Sequence, residues 1–198
     1  MKWWKQSEVI PFTDVQFQKI INGFVFMCPS SIRTKKRKTQ NSREKTQQSM
    51  PVSARDISFI KRGIKGPLLN TLLSQIRKPL LEKHTYHRAE DKDNVEVIVG
   101  DILTHSNLSD DFFDLIVFKK RNDMPDTEAI YYYIRNAFAH GSFEVCIDKG
   151  EKIYILESSK DGNIKAQMRL KERTLLRYME LAAMNTEEIR ALQKSKKK

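Results

Sequence analysis

Phe143-Glu144-Val145-Cys146-Ile147-Asp148-Lys149-Gly150-Glu151-Lys152-Ile153-Tyr154-Ile155 is the stretch on which the fold turns. Phe143, Val145 and Ile147 alternate, Asp148-Lys149-Gly150 has the composition of a tight turn, and Ile153 and Ile155 resume the alternation. A second turn at Asp161-Gly162-Asn163 leads to Ile164, Ala166 and Met168, so residues 142–169 read as a three-stranded antiparallel meander. Upstream of it the period is helical. Ile130, Tyr133, Ile134, Ala137 and Phe138 form an apolar stripe behind a cap at Asp126 or Thr127, and Gly141 stands where such a helix closes.

Further helices are predicted along most of the chain. Phe12 to Met27 carries Val15, Phe17, Ile20, Ile21 and Phe24 at helical spacing, and Pro67 to Leu81 does so through Leu68, Leu69, Leu72, Leu73 and Ile76, with Pro79 bending or ending it. Ala54 to Lys61, Phe112 to Phe118 behind Ser109 or Asp110, Leu170 to Leu181 and a short segment from Thr186 complete the set. In residues 90–102, Val95, Val97 and Val99 alternate like a short strand, but the flanking charges suggest a surface connection. The expected fold is therefore dominated by α-helix: a four- to five-helix bundle forming one domain over residues 1–198. The meander of 142–169 is a small insertion before the C-terminal helix, and 31–49 is a flexible basic loop.

The chain of 198 residues carries 36 Lys and Arg against 25 Asp and Glu, a formal net charge of +11. Arg33, Lys35, Lys36, Arg37, Lys38, Arg43 and Lys45 form a basic tract offset only by Glu44, and Lys194, Lys196, Lys197 and Lys198 crowd the C-terminus. Such runs concentrate polyanions without selecting a base sequence, which makes RNA the expected partner and the tract a candidate RNA-binding segment. Cys28 and Cys146 lie far apart with no pairing or metal-ligand spacing, and His84, His87 and His105 add no metal pattern. No metal and no cofactor are expected, and the default address is the reduced cytoplasm. The longest apolar segment, near Ile20 to Met27, is too short for a bilayer span, and no signal-peptide pattern opens the chain, so no stable membrane insertion is expected.

Arg135-Asn136-Ala137-Phe138-Ala139-His140 supplies the candidate chemistry. Asn136 and His140 are four apart and share a helix face, with Arg135 offset by about 100 degrees beside them. Metal-free RNA cleavage needs a proton taken from the 2'-hydroxyl, a proton delivered to the leaving 5'-oxygen, and charge stabilised on phosphorus. Histidine as a residue type transfers protons near neutrality, while arginine presents a permanently charged planar fork to phosphate oxygens. Asn136 would orient His140 or donate to phosphate. One histidine is thin provision for two transfers, so the chemistry calls for a two-fold homodimer that faces two such helices across one cleft. Tyr131, Tyr132 and Tyr133 cannot all face one way on a helix, and Tyr131 or Tyr132 is a candidate for stacking on bases.

The Arg-Asn-x3-His pattern at a helix end resembles the signature of the HEPN superfamily, whose members share a four- or five-helix bundle and an Arg-x4-6-His motif. The resemblance implies a metal-independent endoribonuclease that leaves 2',3'-cyclic phosphate and 5'-hydroxyl ends and acts as a dimeric toxin or antiphage effector. A regulatory antitoxin or defence-system partner goes with it, Arg135, Asn136 and His140 being the matching positions. One branch of that superfamily carries a tyrosine two residues after the histidine, where this chain has Ser142. The alternative is a catalytically silent helical bundle that binds nucleic acid or a partner protein through its charged tract.

Overall fold

The computed structural model describes residues 14–29, 58–105 and 113–195, so the expected loop at 31–49 and the basic tract Arg33 to Lys45 lie outside the described residues. In chain order the elements are α1 (Val15–Ile21) with a π-helical turn (Asn22–Phe26), α2 (Pro67–Leu81), β1 (Tyr86–Ala89), α3 (Val95–His105), β2 (Leu115–Lys119), α4 (Asp126–Ala139), β3 (Phe143–Asp148), β4 (Glu151–Lys160), β5 (Asn163–Lys171), α5 (Glu172–Ala183) and α6 (Thr186–Ser195). Among the described residues no helix is long and apolar enough to cross a membrane.

The bundle expectation is overturned. The meander β3-β4-β5 is not an insertion but three strands of a five-stranded mixed sheet ordered β1-β2-β5-β4-β3, and the fold is mixed α/β. β5 turns its second edge to β2, antiparallel, with Leu115 opposite Arg169 and Phe118 opposite Ala166. β1 lies parallel to β2, with Tyr86 opposite Ile116, and α3 makes the crossover that a parallel pair requires.

The segment expected as a helix at Phe112 to Phe118 contains β2, an interior strand of the sheet. Leu115 and Val117 pack with Ala89, Val95, Val99 and Phe113 beneath α3, while Ile116 and Phe118 enter the larger core formed with α1, α2, α4, α5 and α6. A strand buried on both faces is apolar at every position, so its alternation disappears and the run looks helical. The opposite substitution occurs at Val95, Val97 and Val99, where the chain is helical. Asn94 caps α3 by accepting from the N–H groups of Glu96 and Val97, and Val95 and Val99 point inward while Val97 is 57% exposed. Of the helix expected at Ala54 to Lys61, residues 54–57 lie outside the described residues and 58–63 begin in irregular chain and pass into hydrogen-bonded turns.

The sheet and helices are joined by a long-range cap. α5 has no capping side chain from its own flank; instead half-buried Asp114, just before β2, accepts from the Lys171 N–H at 2.8 Å and the Thr174 hydroxyl at 2.7 Å. Burial raises the Asp114 pKa despite these bonds. Asp114→Ala should lower stability by about 1–2 kcal/mol in urea titration, with a smaller loss for Asp114→Asn. Because the folded pKa is raised, the carboxyl's contribution is complete below its unfolded value and fades as pH climbs through the folded one. Wild type should therefore lose stability relative to Asp114→Asn as pH rises from about 4 toward neutrality.

Candidate functional site

α4 closes as its sequence predicts. The His140 N–H donates to the Asn136 carbonyl at 3.0 Å, Gly141 takes φ 66°, and the Gly141 and Ser142 N–H groups return to Phe138 and Ala137. This left-handed ending satisfies the last carbonyls, turns the chain into β3 and leaves the His140 side chain exposed.

Tyr132, Asn136 and His140, each four residues apart, open into a polar cleft of about 290 Å³. Its other walls are Tyr133 beside Tyr132, Lys119, Lys120 and Arg121 at the end of β2, Asp91 after β1, and Ser158, Ser159, Lys160 and Lys165 from the β4-β5 hairpin. Strand pairing explains the convergence: Ala89 lies opposite Lys119, and Phe118 opposite Ala166, so the ends of β1 and β2 meet the hairpin.

The cations of this cleft differ in what they are free to do. Lys119 is 9% exposed, and its ammonium donates to the carbonyls of Glu90, Asp91 and Asp93, which fastens the loop between β1 and α3. Lys120 stands 3.8 Å from Glu90. Arg121 is held at both ends of its fork by Asp123, Nε to Oδ1 at 2.9 Å and Nη2 to Oδ2 at 2.7 Å, and this pairing raises its pKa. Its guanidinium carbon lies 4.4 Å from the centre of the Tyr132 ring. Lys160 is exposed and Lys165 half-buried, and neither forms an ion pair among the described residues. These two ammonium groups contribute to the positive field an anion meets in the cleft.

The residues singled out from the sequence separate here. Asn136, His140 and Tyr132 share the cleft. Arg135 is half-buried on α4 but is not among the residues lining the cleft, and its Nε is buried with no hydrogen-bond partner among the described residues. Tyr131 is 1% exposed, packs against Phe24 and Phe59, and donates its hydroxyl to the Tyr178 carbonyl at 2.6 Å; a stacking role on bases is ruled out by that burial. Tyr133, whose hydroxyl donates to the Lys119 carbonyl, has its pKa pushed up to about 12 by burial. Sequence reasoning missed Lys160 and Lys165 because each is a single lysine in a hairpin; Lys119-Lys120-Arg121 directly after an apolar run was the one visible signal.

Cys28 and Cys146 are buried and not joined in a disulfide, and among the described residues no three His, Cys, Asp or Glu side chains are grouped to hold a metal ion. No protein-family model matches the chain, and neither a curated protein nor a solved structure matches it.

The division between structural and available cations is measurable. Lys119→Met should cost about 2–3 kcal/mol in thermal or urea unfolding because three carbonyls lose a charged donor. Lys160→Ala and Lys165→Ala should each stay within about 0.5 kcal/mol of wild type.

Proposed function

We propose that the protein is a metal-independent endoribonuclease that engages the RNA backbone in this cleft. The single observation that carries the reading is the meeting of His140 and Asn136 with Lys160 and Lys165, which form no ion pair among the described residues, in one polar cavity. In this reading the 2'-oxygen attacks the adjacent phosphorus, the bond to the 5'-oxygen breaks, and His140 delivers a proton to that leaving oxygen. Lys160 and Lys165 offset the charge growing on the phosphoryl oxygens, and Asn136 orients the imidazole or donates to phosphate. A two-fold partner copy supplies a second His140 for the 2'-hydroxyl proton and brings Arg135, which stands outside its own cleft, toward the shared substrate. A cytoplasmic toxin or antiphage role, restrained by an antitoxin or defence partner, is the biological setting proposed with it.

The position of Arg135 outside the cleft favours a second reading, in which the protein binds RNA without cutting it. Incubation of purified protein with RNA in chelator, followed by end-group analysis, separates the two. The nuclease reading expects 2',3'-cyclic phosphate and 5'-hydroxyl ends that disappear in His140→Ala while RNA affinity persists. Intact RNA bound by wild type would leave the binder. Under either reading, Lys160→Ala/Lys165→Ala should weaken binding and lower the slope of log affinity against log salt by about 2.

A further inference from the structure

We infer that Arg121 is a stacking plane for an unpaired nucleobase rather than a phosphate clamp, so that the cleft selects single-stranded over duplex RNA. The inference rests on the RNA reading of the same cleft. An arginine that grips phosphate does so with two aligned N–H donors of its fork. In Arg121 the Nε–Nη2 edge of that fork is taken, since both nitrogens donate to Asp123, which also balances the charge. Beyond that edge Arg121 presents the guanidinium surface that Tyr132 does not cover, on a side chain still 27% exposed at the cleft wall. The Asp123 bonds and the Tyr132 ring hold that plane still, and Tyr133 meets Tyr132 edge-on with centres 5.4 Å apart, fixing the ring behind it.

A rigid, charge-balanced plane in a cleft with two lysines that form no ion pair among the described residues divides the labour of nucleotide recognition. Lys160 and Lys165 take the phosphate, and Arg121 takes the flat base beside it. Bases in unstacked single strands are available for such contact with arginine planes, whereas those of a duplex are already stacked on one another.

The test compares a short single-stranded RNA with the same RNA carrying one abasic position, and with its duplex, by fluorescence anisotropy on the full-length chain. The phosphates are identical in the first two ligands, so the basic tract at residues 33–45 attracts both alike. Wild type should prefer the intact strand over the abasic one by about tenfold, and Arg121→Lys, which keeps the charge and loses the plane, should bring that ratio close to one. An independent readout uses wild type alone: 2-aminopurine at the same position should be quenched on binding. Equal affinity of wild type for intact and abasic strands, with no quenching, would overturn the stacking role while leaving backbone binding intact. Tighter binding of the duplex would overturn it as well, and no binding of any RNA would remove both this inference and the reading beneath it.

Discussion

Burial of β2 on both faces is the constraint from which the architecture follows. Leu115, Ile116, Val117 and Phe118 are each fully buried, and removing such side chains from water is worth about 1.5–3 kcal/mol apiece. Two separate apolar layers are needed to accomplish it. The helices α1, α2, α4, α5 and α6 furnish one, and α3 furnishes the other while carrying the chain from β1 to its parallel neighbour. The second edge of β2 is satisfied by β5, which draws the whole meander into the sheet. A bundle could not have buried this strand on two sides and also completed its backbone hydrogen bonds.

The same strand places the cleft. Its apolar run stops at Phe118, and Lys119-Lys120-Arg121 follow immediately where the sheet ends. One of these side chains turns back to fasten the neighbouring loop and another is neutralised by Asp123, so a tally of basic residues overstates the field that a ligand meets. The hairpin of β4 and β5 contributes Lys160 and Lys165, which form no ion pair among the described residues. Positive charge around this cleft thus divides into groups that hold loops in place and groups that face the cavity.

Much of the local structure was legible because local forces set it. α2 spans Pro67–Leu81 as its apolar spacing and opening proline imply, and the turns at Asp148-Lys149-Gly150 and Asp161-Gly162-Asn163 separate three strands. The ending of α4 was equally plain: Gly141 accepts a positive φ without the steric cost a side chain brings, and the ladder of backbone bonds ends there. Misreadings fell where tertiary burial cancels periodicity. Phe112 to Phe118 had no polar alternation to reveal a strand, and the three valines of α3 mimicked one although Val95 and Val99 lie on a single helix face.

For the site, spacing alone determined that Asn136 and His140 share a face at a helix end, since four residues make nearly one turn. Whether that face opened into a cleft was beyond sequence, because its opposite walls come from Lys119 to Arg121 and from Lys160 and Lys165, joined only by the pairing of β2 with β5. The absence of Arg135 from the cleft lining, the burial of Tyr131 and the pairing of Arg121 with Asp123 were likewise decided by packing. Local composition determined which groups exist and where helices and turns begin. Only the tertiary fold, by settling which faces leave water, decided which of those groups meet.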